Sequence, residues 1–369
     1  MDAVKRIGLD KMKFSNLRVK NLDVGRLEPM KQAELTYSAT GRCIWYMPGT
    51  NAGIRKIVIK DNDVFSDLTI GCTTNSYGAL IEYTYLTITV ANAKGCNLEN
   101  MTYAEYNLYL ENILSYLETE YGIILDAGQM KVDYIEINSN IILQDSFSEY
   151  DRTLRLFTWM FKNLGKLSSY ACKEGDSAVQ ETHRRGNKSR EIVFYNKTAE
   201  LRAEGISVDE DILRVEIRLK TARVIKDAFG SRHWKDLNDL KFTEYYHKHI
   251  YTELSDGLER WQRKRQKDLK KLIKMCRTDS KRNWHHLLME AVRNKSERNT
   301  VPYILDIEQV YDAFRQLPDP NRNMNRALKP FDNIEITDDV YRKHGIRKAH
   351  EILDTVRGYA EEVLQHFQT

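Results

Sequence analysis

The stretch that most constrains this chain is Leu213–Lys220 (LRVEIRLK), which alternates without a break. Leu213, Val215, Ile217 and Leu219 fall on one side and Arg214, Glu216, Arg218 and Lys220 on the other. That is the period-two signature of a strand with one apolar and one polar face. Just upstream, Arg190–Glu200 (REIVFYNKTAE) starts as a short β pattern and turns helical after its Tyr and Lys. The same alternation puts Tyr195 and Lys197 on one face and Ile192 and Phe194 on the other. If the two strands are neighbours, one sheet face presents a phenol, an ammonium, a carboxylate and two guanidiniums. Such a set suits phosphodiester chemistry, with a nucleophile, a metal ligand and cations for phosphate oxygens.

The rest of the chain supplies a frame for that face. Arg42–Tyr46, Arg55–Lys60, Asp67–Cys72 and Tyr83–Val90 read as strands separated by Pro, Gly, Asn and Asp turns. Thr102-x-x-Glu105 is a capping-box signal opening a helix to about Glu120, with Leu110, Ile113, Leu114 and Leu117 as its apolar stripe. A strand over about Lys131–Leu143 and a helix over about Glu149–Leu164 follow, then a polar, basic loop over 166–189. A short helix at about Thr198–Ala203 and another ending near Gly230 flank the Leu213–Lys220 strand. From about Trp234 the pattern is helical, and a last helix is expected over Asp338–Gln368. The fold class is therefore α+β: a largely antiparallel sheet with helices on one face, followed by a helical C-terminal domain. The expected division is 1–75 as a β-rich segment joining the main sheet, 76–232 as the core, and 233–369 as the helical region.

Bulk numbers exclude more than they assign. With 57 basic and 53 acidic residues the net charge is only +4, so the total does not announce a nucleic-acid binder. Local distribution does: residues 260–282 hold eleven basic side chains against Asp268 and Asp279. Five widely spaced Cys without a CxxC argue against a disulfide framework or zinc site and for a reducing cytoplasm. Neither a signal-peptide core at Met1–Gly8 nor an apolar run of membrane-span length is present, so a cytoplasmic protein without membrane association is expected.

A Tyr-Asn-Lys-x-x-Glu segment followed closely by an Arg-x-Glu strand resembles the rolling-circle replication initiators, most of all the filamentous-phage gene II/X type and the related plasmid Rep proteins. Leu86–Asn97 stands where those proteins have a strand, a small polar turn and an Asn. Val132–Asn140 stands where they carry a strand with one or two acidic residues. The likeness covers roughly residues 80–230, and its specific part is Tyr195–Lys220. The resemblance implies a Rep nuclease-like fold and a site-specific DNA endonuclease. Tyr195 would be the nucleophile, with Lys197 and Glu200 beside it. Glu216 would be a metal ligand with Glu136 or Asp133 as its partner, for Mg²⁺ or Mn²⁺. Origin DNA is the expected substrate and a host helicase and polymerase are the implied partners, with a homodimer as the assembly left open beside a monomer. Many rolling-circle nucleases use a His-hydrophobic-His metal motif upstream of the tyrosine. Here the H-x-H is His247-Lys-His249, downstream and with a charged centre, so the likeness is to the subgroup lacking that pair.

Each candidate has a plainer reading. An isolated strand Tyr is usually core, and Glu216 could simply pair with arginines across strands. Asp133 and Glu136 point to opposite faces of a regular strand, so at most one belongs to the site. Glu200 could be a base or a surface pair. Arg190, Arg214 and Arg218 are natural phosphate clamps that could equally be structural. In the basic run, Arg263, Lys264, Arg265, Lys270, Lys271 and Lys274 are candidate DNA-backbone contacts, against a solvated helix face. Two other functions fit the same residues: a non-catalytic DNA-binding regulator, and a mobilisation relaxase or transposase with the same phosphotyrosine step.

Overall fold

A computed structural model of the chain describes residues 6–22, 42–45, 56–60, 64–65, 67–77, 80–90, 100–161, 164, 166–172, 180–263, 267 and 346–366. Eleven strands form one sheet: β1 (Ile7–Leu22), β2 (Arg42–Trp45), β3 (Lys56–Lys60), β4 (Asp67–Tyr77), β5 (Leu80–Val90), β6 (Ile123–Asp126), β7 (Lys131–Ile142), β8 (Lys166–Cys172), β9 (Gln180–Gly186), β10 (Arg190–Asn196) and β11 (Ile212–Leu219). Their order is β2-β3-β4-β5-β1-β7-β11-β10-β9-β8, with β6 also pairing β1. Every ladder is antiparallel. Helices α1 (Tyr103–Tyr121), α2 (Asp151–Met160), α3 (Lys197–Ala203), α4 (Ala222–Phe229), α5 (Asp239–Tyr246) and α6 (Ile346–His366) accompany the sheet, with shorter 3-10 and π-helical turns and a further helical stretch over 253–263. The chain is thus α+β, with a large antiparallel sheet, helices, and a C-terminal helix.

Alternation explains where the core sits. Ile135, Ile137 and Ile141 of β7 align with Leu219, Ile217 and Leu213 of β11, and Ile192 and Phe194 of β10 extend the same layer. All are fully buried. Phe157 of α2 packs on Phe194 at 6.0 Å between ring centroids. Tyr246 at the end of α5 donates to the Val215 carbonyl at 2.9 Å and shares a hydrogen bond with Ser139. Burying one such large apolar side chain stabilises the fold by roughly 1.5–3 kcal/mol. On the same layer α6 packs through Ile352, Leu353 and Val356. Its Tyr359 hydroxyl donates to the Asn140 carbonyl, and its buried Lys348 is held by Asp145 and Glu149 at 2.6 and 3.2 Å. The capping box at Thr102 and Glu105 forms as its spacing requires, and Gly122 ends α1 in the left-handed conformation.

Two elements differ from expectation. The 166–189 stretch, expected as a basic loop, carries β8 and β9, at the sheet edge beside β10. Gln180–Gly186 (QETHRRG) has no apolar alternation to betray a strand; its order comes from backbone pairing with β10 and from Asn187, whose side chain accepts from the amides of Ser189 and Arg190 in the turn. The long strand β1 has no counterpart in the pattern reading. Three register shifts, between Leu9 and Met12, between Phe14 and Leu17 and between Val19 and Asn21, break its alternation, although it lies centrally between β5 and β7. Among the described residues no helix is long and apolar enough to cross a membrane.

Close packing over β1 is tight at Gly8. A Cβ there would lie 2.6 Å from the Asn100 Cβ and 2.8 Å from the backbone of Asn100 and Met101. That backbone cannot retreat, because Leu9 N–H donates to the Met101 carbonyl and Asn100 donates to the Arg6 carbonyl. Gly8→Ala is therefore expected to destabilise the protein by about 1–3 kcal/mol through overpacking. Thermal unfolding of the variant against the parent measures it.

Candidate active site

The face opposite the helical layer is assembled in rows across β10, β11, β7 and β1. Tyr195 aligns with Arg214, and Arg214 with Asn140. One step along, Val193, Glu216, Asn138 and Gly8 form the next row. Glu191, Arg218 and Glu136 form the third. Here the bulge in β1 sets both Asp10 and Lys11 against the single residue Glu136. Without it, strict alternation would send one of the two to the other face.

Charge is densely paired along these rows. Arg214 is 2% exposed; its Nε donates to Asn140 Oδ1 and its Nη1 to Asp10 Oδ2, both at 2.8 Å. Arg218 donates to Glu216 and lies 3.3 Å from Glu136 and 3.5 Å from Glu191. Lys220 pairs with Glu191 at 3.2 Å. The Tyr134 hydroxyl donates to Glu136. In this network four carboxylates (Asp10, Glu136, Glu191, Glu216) face three cations (Arg214, Arg218, Lys220). The mismatch falls on the most deeply placed acids. Burial, reinforced by the Glu216 charge, pushes Glu136 up to about 8, against the pull of Arg218. Burial also raises Glu216, with Arg218 opposing. Both carboxyls are thus shifted toward the protonated form.

Tyr195 is partly buried, and burial holds its phenol well above the ordinary value; Arg214 opposes this and Glu216 and Glu200 add to it. The chain turns into α3 right after it, with Asn196 capping the Ala199 amide. Lys197 opens that helix, 1% exposed, and its Nζ donates to Glu200 Oε2 at 2.7 Å. Leu201, Val208 and Ile212 form a small apolar cluster under α3 and anchor it at this end of the face.

Tyr195, Arg214, Glu216, Arg218 and Glu136 therefore converge, with the Lys197–Glu200 pair beside the phenol. Asp133 is ion-paired with Arg232. A register shift in β7, at Asp133, lets the consecutive residues Asp133 and Tyr134 line one groove, so the strict opposition of Asp133 and Glu136 expected of a regular strand does not hold. Arg190 has the opposite strand parity from Tyr195. It meets His249 Nδ1 at 2.9 Å on the helical side, where His249 also contacts Glu253 within a π-helical turn. Arg263 is exposed and pairs with Glu259. Lys264, Arg265, Lys270, Lys271 and Lys274 lie outside the described residues.

Three residues of the site escaped the pattern reading. Asn138 and Asn140 continue the period-two polar stripe begun by Glu136, a signal that was available. Asp10 was hidden by its bulge. Asn138 is fully buried, and among the described residues neither its Oδ1 nor its Nδ2 has a hydrogen-bond partner. It sits beside Glu216 on the next strand and two residues from Glu136. No group of three or more His, Cys, Asp or Glu side chains among the described residues is arranged to hold a metal ion; Arg218 instead bridges the two glutamates.

No family model and no curated protein matches the chain. Among solved structures it is similar to that of a rolling circle replication initiator protein from Geobacillus stearothermophilus, at 13% identity and a TM-score of 0.28, over 60% of this chain and 79% of the other. A TM-score that low fixes no residue correspondence, and the site stands on its own geometry.

The raised Glu136 carboxyl makes stability depend on pH. Between the ordinary carboxylate range and pH 8 the folded state holds a proton on Glu136 that the unfolded chain has lost. Stability conferred by this group therefore falls as pH rises through that window, by at most about 1.4 kcal/mol per pH unit. Denaturant titrations at pH 6 and pH 8, without divalent metal, should show Glu136→Gln removing most of the decline seen in the parent.

Proposed function

We propose that this protein is a rolling-circle replication initiator that nicks and rejoins one DNA strand through Tyr195. The observation that carries the reading is the row Tyr195–Arg214–Asn140, a phenol set directly across from a buried guanidinium on a polar sheet face with Glu216 and Glu136 behind it. It is supported by the Tyr-Asn-Lys-x-x-Glu and Arg-x-Glu segments on which the sequence resemblance rests.

In the forward step the Tyr195 oxygen bonds to the scissile phosphorus as the bond to the 3′ oxygen breaks. A 5′-phosphotyrosyl link and, after protonation from solvent, a free 3′-hydroxyl result. The phenol cannot ionise unaided in this setting, so its proton leaves during attack. Glu200, whose charge already acts on Tyr195 and is steadied by Lys197, is the acceptor. Arg214 is fixed by Asp10 and Asn140 and needs no reorganisation to face charge developing on the phosphoryl oxygens. Rejoining runs the same bonds in reverse.

The donor set fits a hard divalent ion, Mg²⁺ or Mn²⁺: two carboxylates raised by burial, and an orphaned carboxamide between them. Glu136 and Glu216 would hold it with Asn138 Oδ1, Arg218 yielding its bridge. When bound, such an ion would supply Lewis-acid polarisation of the phosphoryl group. Origin DNA is the proposed substrate, a host helicase and polymerase the proposed partners, and a homodimer the proposed assembly.

Incubation with supercoiled and single-stranded DNA of its own replicon plus Mn²⁺, read on a denaturing gel with peptide mass spectrometry, is expected to give a covalent adduct on Tyr195. Tyr195→Phe should abolish the adduct while leaving DNA affinity nearly unchanged. Intact DNA under every metal tested, with tight binding, would establish the regulator reading instead. Arg214→Lys keeps the charge but loses the forked hydrogen bonds to Asp10 and Asn140. It should slow adduct formation by about a hundredfold or more in a protein whose circular dichroism is unchanged.

A further inference from the structure

Beyond the Tyr195 row the polar face runs into an open groove of about 620 Å³. Lys11, Lys13, Tyr134, Lys220 and Arg232 line it, with Asp133 as the acid among its lining residues. Two of the four cations are already neutralised: Arg232 by Asp133, and Lys220 by Glu191. Lys11 and Lys13 are exposed, and among the described residues no carboxylate pairs with either. The groove is built by the β1 bulge at Asp10–Lys11 and the β7 shift at Asp133. One turns Lys11 onto this side of β1, and the other sets Asp133 and Tyr134 side by side on β7.

Its position is fixed by the ladders. Lys13 aligns with Tyr134 on one side and Thr89 on the other, and Lys220 follows the Leu219–Ile135 pair. Lys220 is six residues along β11 from Arg214, so at about 3.3 Å per residue the groove lies roughly 20 Å from the Tyr195 row on the same face. The Tyr134 ring forms part of its wall, its hydroxyl tied to Glu136 and so to the Arg218 network.

We infer that this groove is a binding track for the backbone of single-stranded DNA leading away from the nucleophile. Unneutralised lysines two apart on a rigid strand match a repeating phosphate charge. A fixed aromatic wall is what an unpaired base, unlike a stacked duplex, can use. The identity of the polymer rests on the strand-nicking reading; the anionic-backbone chemistry of the groove does not.

The test separates the two. Binding is measured with Tyr195→Phe protein, in which no covalent step intervenes. The probes are a fluorescein-labelled, mixed-sequence single strand and its duplex, followed by anisotropy between about 50 and 200 mM salt. Adding Lys11→Gln and Lys13→Gln, both solvent-facing, should weaken single-strand binding about tenfold or more at the lower salt and flatten the salt slope by about 1.4, near 0.7 for each lost phosphate contact. The Lys11→Arg, Lys13→Arg version should restore both. Unchanged affinity and slope in the Gln variant overturn the track. An equal loss on duplex overturns its assignment to single strands. If the parent forms no Tyr195 adduct and the Gln variant still loses single-strand binding, the nicking reading fails and the track stands.

Discussion

Arg214 is the group around which the face is organised. A guanidinium 2% exposed is tolerable only if its donors are met by charge and well-placed acceptors, because the desolvation of an unmet buried ion costs several kcal/mol. Its partners come from two other strands: Asp10 of β1, 204 residues away in sequence, and Asn140 of β7. Satisfying one side chain therefore aligns β1, β7 and β11 and fixes what stands opposite Tyr195. The same low-dielectric setting that makes the pair demanding keeps the phenol protonated and raises both glutamates.

Legibility in the sequence followed regularity. Leu213–Lys220 obeys a strict period of two, so its polar face could be read directly, and with the Tyr195 segment it placed Arg214, Glu216 and Arg218 on the face that Tyr195 shares. The Thr102–Glu105 box and the stripes of α1 and α2 were equally plain. What failed were places where the backbone departs from period two. The bulge at Asp10–Lys11 hid both the central strand and the carboxylate that anchors Arg214. The shift at Asp133 undid the argument that Asp133 and Glu136 must point apart. Strands β8 and β9 were invisible for another reason: an edge strand held by main-chain pairing needs no apolar alternation.

The two ends of the face differ in character. Near Tyr195 it is closed in by α3, with cations and carboxylates interlocked and little charge left unmet. At Lys11 and Lys13 it opens, and positive charge is left over. A substrate entering from the open end would meet attraction first and geometry second, the order that favours fast encounter followed by selective positioning.

The helix α6 gives the fold one more property. Its Tyr359 holds the backbone carbonyl of Asn140, while the side chain of that asparagine holds Arg214. During synthesis β1 emerges long before α6, yet both bear on the same guanidinium. Contacts between positions so far apart in sequence form late and slowly. A nascent or prematurely terminated chain then carries the tyrosine without the support that sets the guanidinium across from it. Completion of the Tyr195–Arg214 row is thereby tied to completion of the fold.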